Sequence, residues 1–278
     1  DLMPTVSTFR ECLLCNNIGK SNNFKFSLHL KVDTGMSRLG FECDQFVQQF
    51  NNIKSLENIA VKGIYSHLAC ADEKNALNPK SSTQLQKEKF QELLKIIDID
   101  NTQNIKIHLA NSAGMILGKD FHFDMVRVGL SMYGYDPLVN INENLFLKPA
   151  LFLKAKVTFV RTIEKGIGVS YGNKFVSDRK TKLAVLSIGY ADGIIRNLSG
   201  KISLIHNKKL YPQVGSITMD QMMVDITDSN DIEVGSTMLL LGSEGDKSIS
   251  PIDWADKCNS IPWEILCSFK NRLPRVQV

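Results

Sequence analysis

The chain has 278 residues, 43% hydrophobic and 22% charged, an ordinary globular mixture that excludes long-range disorder. Lys and Arg number 33 against 29 Asp and Glu, and the resulting net charge of +4 is too small and too scattered for a nucleic-acid footprint. No apolar run approaches the roughly 18 residues of a membrane span, and six cysteines over this length make no disulfide scaffold, so a reduced, cytoplasmic setting is expected.

A short strand is expected at Leu2–Val6, then strands at Lys25–Asp33, Val61–His67, Ile105–Ala110 and Met125–Gly129. Helices are expected between them at Cys43–Ile53 and Thr83–Ile97. In the second, Leu85, Phe90, Leu93, Leu94 and Ile97 fall on one face at the 3.6-residue period. Strand–helix alternation means βαβ units and a parallel sheet. Beyond a boundary near Lys148–Pro149 the pattern changes. Strands are expected at Ala150–Thr162, Lys182–Ile188, Lys201–Ile205, Met222–Ile226 and Thr237–Leu241, separated by Gly-, Asn- and Asp-rich turns, with a hairpin turn at Asn207–Lys209. Ser250 before Pro251 reads as an N-cap with proline at the first helical position. The expected domains are therefore 1–148 and 149–278.

Each strand of the first half ends in a chemically useful group. The first ends in Lys31 and Asp33, followed by a turn holding Arg38; the second ends at His67, the third at Asn111-Ser112, and the fourth holds Arg127. In parallel α/β sheets and barrels, ligands bind at the carboxyl ends of the strands. In Lys25–Asp33 the residues Phe26, Leu28, Leu30 and Val32 alternate with Ser27, His29, Lys31 and Asp33, so one face packs on helices and the other is polar. That polar face is a barrel interior or, in the plainer alternative, a solvated antiparallel face. A guanidinium at Arg127 cannot lose its charge and needs an acceptor, either a structural carboxylate such as Asp124 or a ligand atom.

Other patterns carry less. Cys12 and Cys15 have CxxC spacing with no second pair, which fits a buried helical face better than a metal site, and no metal is expected. No HExxH, Walker A or GxGxxG motif occurs. His29, His108, His122 and His206 are read as structural. His67 is set apart because it ends a strand beside other candidates.

Taken together, Lys31-Val-Asp-Thr-Gly-Met-Ser-Arg38-Leu-Gly40, Tyr65-Ser-His67-Leu-Ala69, Ala110-Asn-Ser-Ala113, Val126-Arg127-Val-Gly129, Val169-Ser-Tyr171-Gly172, Gly189-Tyr-Ala-Asp-Gly193, Met219-Asp220 and Arg272-Leu-Pro-Arg275 resemble, in order, the motifs of bacterial alanine racemases. The resemblance implies a (β/α)₈ TIM-type barrel that binds pyridoxal 5'-phosphate, followed by a mainly β domain. It also implies a head-to-tail homodimer with shared sites, and interconversion of L- and D-alanine through a Schiff base, supplying D-alanine for peptidoglycan. A broader amino-acid or serine racemase, and a non-catalytic cofactor-binding relic, are the alternatives.

By the same resemblance, Tyr171 is a catalytic base, weak at the free tyrosine pKa near 10 and in need of positive neighbours. Arg127 and His67 complete its network, and Arg127 faces the pyridine nitrogen, keeping it unprotonated. Arg38 faces the cofactor's phenolic oxygen and the substrate carboxylate. Lys31 matches a lysine often carboxylated in the family. Ser112, Asn111 and the Gly129 amide belong to the cofactor site. Met219 meets the substrate carboxylate through its backbone, and Tyr190 lines the entrance. The family's Schiff-base lysine sits in a segment reading Val-Lys-Ala-Asn-Ala-Tyr-Gly, and none occurs here. A complete barrel takes about 250 residues. The expectation is therefore an incomplete barrel of about the last five βα units, an N-terminally truncated racemase, and a chain inactive by itself.

Overall fold

The computed structural model describes residues 2–97, 104–138 and 147–277. The chain divides into two compact units, Asp1–Lys148 and Pro149–Val278.

In the first unit β1 (Thr5–Val6), α1 (Phe9–Ser21), β2 (Phe26–Asp33), β3 (Phe41–Glu42), α2 (Cys43–Lys54), β4 (Ile59–Tyr65), α3 (Ser82–Ile96), β5 (Lys106–His108) and α4 (Ser112–Leu117) follow one another. The strands lie in the order β1-β2-β4-β5, with β3 also on β2, and every pairing is parallel. Parallel neighbours require crossovers, and α1, α2 and α3 supply them. Thr8 and Glu11 form a capping box that starts α1, and the Ser81 hydroxyl accepts from the Gln84 amide to start α3.

Leu28, Leu30 and Val32 of β2 are fully buried in one core with Phe46, Phe50 and Phe90. Burying such a side chain is worth about 1.5–3 kcal/mol, so a one-residue slip that exposed all of them is excluded. The register fixes the opposite face. His29 lies opposite Gly63, Lys31 opposite Tyr65, and Tyr65 opposite His108. Only glycine fits at position 63, because a Cβ there would stand 2.5 Å from the His29 Nδ1.

The structure corrects two expectations in this unit. Met125–Gly129 forms no strand; a single parallel bridge joins His108 to Met125. The Asp124 carboxylate takes the Ile107 N–H at 2.7 Å and the Arg127 N–H reaches the Ala110 carbonyl at 3.0 Å, so the segment crosses the end of β5 on separate contacts. Gly129, at φ −116° and ψ −90°, then turns the chain out of strand geometry. On α3 the buried line runs through Thr83, Gln86, Phe90 and Leu93, whereas Leu85 is 53% exposed. Cys12 is buried inside α1 and Cys15 partly so, and burial pushes the Cys12 thiol up to about 12.

The second unit contains β6 (Leu153–Ile163), β7 (Gly168–Val169), β8 (Phe175–Val176), β9 (Thr181–Leu186), β10 (Ser203–His206), β11 (Lys209–Val214), β12 (Met222–Asp225), β13 (Thr237–Glu244), β14 (Lys247–Ile249), α5 (Pro251–Cys258) and α6 (Pro262–Ser268). Seven strands form an antiparallel sheet in the order β10-β11-β12-β9-β6-β13-β14, and β10 also pairs with β13. That extra pairing closes six of the strands on themselves and leaves β14 as the edge strand, paired only with β13. The β10–β11 hairpin turns on Asn207 and Lys208, both at positive φ as a two-residue turn of this kind demands. Ser250 caps α5 through a capping box with Asp253, with proline at its first position. Among the described residues, no helix is long and apolar enough to cross a membrane.

Candidate active site

The polar face of the first unit's sheet converges on Arg127. Its Nη1 donates to His108 Nδ1 at 2.7 Å. Its Nη2 donates to the Ser66 carbonyl at 2.9 Å, His67 Nδ1 at 3.0 Å and the Leu109 carbonyl at 3.2 Å. The guanidinium lies over the Tyr65 ring, 4.7 Å from its centroid, and that ring stacks on His108 at 4.6 Å. Asp124 is engaged with β5, so the structural-carboxylate option for Arg127 is not what the fold uses. Among the described residues no carboxylate forms a salt bridge with Arg127.

Electrostatics follow from this enclosure. Burial, and then the Arg127 charge, push His67 down to about 4, with Arg38 and Lys31 adding to the effect. Burial, Arg127 and His29 push His108 down to about 3. Burial and Arg127 lower His29 as well. The centre is thus one permanent cation ringed by neutral imidazoles and carbonyls, its charge not cancelled by any of them. A cavity of about 560 Å³ opens beside it, lined by His29, Tyr65, His108 and Arg127 together with Lys62 and Lys106.

Lys31 is 4% exposed, and its amine is shifted down by burial and by Arg38 and Arg127, with Asp33 opposing. Asp33 Oδ1 accepts from the amides of Gly35 and Met36 at 2.8 and 2.9 Å, which fixes the turn that carries the exposed Arg38. On the other side, Asn111 caps α4 by accepting from the Gly114 amide at 2.9 Å, and its Nδ2 donates to the Leu68 carbonyl at 3.4 Å. Ser112 Oγ accepts from the Gly129 amide at 2.8 Å and from the Ser131 amide at 3.5 Å. Ser112 and the Gly129 amide therefore meet in space, and the hydroxyl still has its own proton to give to an anion.

The second unit presents a different group. Ser170 sits at φ 64° and its Oγ donates to the Ser216 carbonyl at 2.7 Å, while Ser216 Oγ donates to the Tyr171 carbonyl at 2.9 Å. These reciprocal bonds hold a strained backbone and leave the Tyr171 side chain 72% exposed. The Tyr190 and Ala191 amides donate to the Thr218 and Met219 carbonyls at 2.9 and 3.0 Å. That contact needs Gly189, where a Cβ would lie 2.2 Å from the Thr218 oxygen. Arg272 pairs with Asp192 at 3.2 Å and Asp220 at 2.7 Å, pinning both sides of this junction. Tyr171, Tyr190 and Met219, all substantially exposed, thus hang from one scaffold at residues 215–220.

Two histidines read from the sequence as structural lie beside the candidate residues. His29 and His108 belong to the Arg127 cluster: His108 bonds Arg127 directly, and its Nε2 lies 3.0 Å from His29 Nδ1. The signal was present in part, since His29 shares the polar alternation of Lys31 and Asp33. His122 and His206 do hold backbone carbonyls, those of Met115 at 2.8 Å and Thr237 at 2.9 Å.

Comparison with known proteins identifies the family. The family models for the alanine racemase N-terminal and C-terminal domains match residues 1–137 and 150–277. Alanine racemase of Prochlorococcus marinus is 52% identical over 278 residues, which are 100% of this chain and 72% of that protein. That of Synechocystis is 42% identical, covering 100% of this chain and 73% of the relative. Among solved structures, Clostridium difficile 630 alanine racemase superposes with a TM-score of 0.88 at 32% identity, over 98% of this chain and 69% of that one. Alanine racemase from Bartonella henselae, solved with covalently bound pyridoxal phosphate, gives 0.85 at 33% identity, over 100% of this chain and 73% of that one. With both family models matched in order and such relatives aligned along its length, the chain belongs to the alanine racemase family, pyridoxal-phosphate-dependent isomerases of alanine.

Proposed function

We propose that the Arg127 cluster and the Ser112–Gly129 pair hold the ring nitrogen and the phosphate of pyridoxal phosphate, and that Tyr171 works on the substrate Cα. The observation that carries the reading is a half-buried guanidinium whose hydrogen-bond partners among the described residues are all neutral. The donor set suits the cofactor: a cation that cannot surrender its proton for the pyridine nitrogen, and a Ser112 hydroxyl whose oxygen is held by the Gly129 and Ser131 amides and whose proton is left for the phosphate. Bound pyridoxal phosphate supplies a ring that delocalises the negative charge left when the Cα proton departs.

The chain's own residues then have distinct tasks. Arg127, held through both terminal nitrogens, offers a remaining N–H at the ring nitrogen without protonating it. That keeps charge withdrawal modest and side reactions few. His67 orients Arg127 through its Nδ1. Arg38 binds the substrate carboxylate, and Lys31, as a carbamate, orients Arg38. The Tyr171 phenol takes and returns the proton on one face of Cα. The Met219 backbone and Tyr190 bound the substrate, and Asn111 holds the loop beside the phosphate.

The exposure of Tyr171, Tyr190 and Met219 favours a head-to-tail homodimer in which the second unit of one copy completes the site on the first unit of the other. Among the described residues the parallel sheet of the first unit runs through four strands, each followed by a helix, with the short β3 as a side branch on β2, and the chain spans 72% of its Prochlorococcus relative. Both facts favour a partial barrel, with four βα units formed where five are expected from the sequence, and with the Schiff-base lysine not among the residues of this chain. On this reading Asp1–Val278 alone does not racemise alanine, and the enzyme that includes the lysine provides D-alanine for peptidoglycan in the cytoplasm. The test is racemisation of L-alanine followed by circular dichroism with added pyridoxal phosphate. Activity in the lysine-containing enzyme that an Arg127→Leu substitution removes supports the reading. D-alanine production by Asp1–Val278 alone overturns the partial-site part of it.

A further inference from the structure

The loops that carry Arg38 and His67 meet on one buried amide of α3. Gln86 is 2% exposed. Its Oε1 accepts from the Ala69 amide at 2.9 Å, and its Nε2 donates to the His67 carbonyl at 2.9 Å and to Thr34 Oγ1 at 3.4 Å. Thr34 Oγ1 in turn shares a 2.7 Å hydrogen bond with Ser66 Oγ. The turn after β2 lies directly on this side chain, since a Cβ at Gly35 would stand 3.2 Å from Gln86 Cγ. One amide thus spans the backbone around His67, from which the Ser66 carbonyl and His67 Nδ1 bond Arg127, and also touches the turn bearing Arg38.

We propose that Gln86 is a positioning residue for racemisation: by joining the His67 loop to the Thr34–Arg38 turn it sets the orientation of Arg127 and Arg38, without itself reaching cofactor or substrate. The inference rests on the roles given to Arg127 and Arg38 above. Packing alone does not account for the residue. Gln86 is a polar side chain on a buried line shared with Thr83, Phe90 and Leu93, and both ends of its amide are used on the same pair of loops. Thr83, on the same buried line, offers a contrast, because its hydroxyl finds no partner among the described residues.

The chemistry of the amide suggests the test. In Gln86→Glu the carboxylate still accepts from the Ala69 amide but cannot donate to the His67 carbonyl or to Thr34. Once protonated, it donates again. Burial beside a carbonyl raises that carboxyl's pKa and brings the switch toward the working pH range. In the lysine-containing enzyme loaded with pyridoxal phosphate, kcat and KM for alanine are measured against pH for wild type, Gln86→Glu, Gln86→Leu, Thr83→Val and Arg127→Leu.

The expected result is a kcat for Gln86→Glu about tenfold below wild type at high pH, the ratio to wild type recovering as pH falls. Gln86→Leu shows a loss of about the same size at every pH, and Thr83→Val stays within about twofold. If Gln86→Leu does not fold, the pH-dependent ratio of Gln86→Glu decides alone. A Gln86→Glu profile that runs parallel to wild type, or a wild-type kcat in both Gln86 variants, overturns the proposal. If Arg127→Leu keeps full activity, the reading of the site fails instead. If Arg127→Leu is inactive while both Gln86 variants behave as wild type, only the positioning role fails.

Discussion

Arg127 and His108 are joined by a 2.7 Å hydrogen bond in which the imidazole is the acceptor, because a guanidinium has only donors to offer. The proton of His108 must then sit on Nε2, which donates to His29 Nδ1 at 3.0 Å, so the His29 proton is likewise on Nε2. The same reasoning places the lone pair of His67 on Nδ1, toward Arg127 Nη2 at 3.0 Å. One fixed cation therefore dictates the tautomers of three histidines, and the cost of protonating any of them grows with its charge.

His108→Phe tests the first link. The substitution keeps an aromatic ring stacked near Tyr65 but leaves Nη1 of a half-buried guanidinium without that acceptor. Hydrogen bonds to charged groups contribute about 1.5–3 kcal/mol, so a loss of about 2 kcal/mol is expected, read from the urea unfolding midpoint at constant slope. An unchanged midpoint would mean that the bond contributes nothing to stability.

The histidine shifts also set a pH dependence. His67 titrates near 6.5 in an unfolded chain and at about 4 when folded, and His108 at about 3. Between these limits the unfolded chain binds protons that the folded one does not, so stability rises with pH in that window. It is fully present above about pH 6.5 and is lost as pH falls toward the folded values. The denaturant midpoint should drop between pH 6.5 and 5, above the range where ordinary carboxylates titrate, and His67→Gln should flatten part of that drop. A midpoint that climbs on acidification through this interval contradicts the assignment.

Much of this candidate site is legible in the sequence, and the reason is local. Strand alternation put Ser27, His29, Lys31 and Asp33 on one face, and parallel topology put strand-end residues at one rim. What alternation cannot supply is register. That His29 faces Gly63, and Tyr65 faces His108, depends on how separate strands slide past each other. Without it His29 and His108 looked like unrelated core residues. Gln86 was hidden for a related reason. On a helical wheel Leu85 appeared the better inward residue, yet two loops needing an amide donor and acceptor selected its polar neighbour. The segment at Arg127 failed as a strand because apolar spacing does not reveal that Asp124 would capture the Ile107 amide first.

Lys31 gives a prediction that does not depend on the dimer. Carbon dioxide adds only to a neutral amine, and burial, with Arg38 and Arg127 nearby, lowers the pKa of this one. With ¹³C-bicarbonate, the lysine-containing enzyme should show a carbamate carbon resonance that Lys31→Ala lacks. The variant's kcat should fall by about tenfold, as for one charge-assisted contact to Arg38, and a small added carboxylate should restore part of it. A wild-type spectrum without that resonance would leave Lys31 as a neutral or charged amine and remove the carbamate from the site.

Tyr171 separates position from chemistry. Its side chain is 72% exposed, so Tyr171→Phe removes one hydroxyl and almost no packing. Stability should stay within about 0.5 kcal/mol of wild type, while kcat falls by about 10²–10⁴, the range for loss of a general acid–base group. Solvent deuterium should then fail to enter Cα from one enantiomer while still entering from the other. Ser216→Ala leaves the phenol intact but cuts the 2.9 Å bond to the Tyr171 carbonyl, releasing a loop in which Ser170 sits at φ 64°. Its kcat should drop by less, about tenfold, with exchange slowed but not abolished for the same enantiomer that Tyr171→Phe affects, because the phenol is misplaced rather than removed. Equal loss of exchange from both enantiomers in Tyr171→Phe would show that the phenol serves both faces or neither, and would remove it as the base for one.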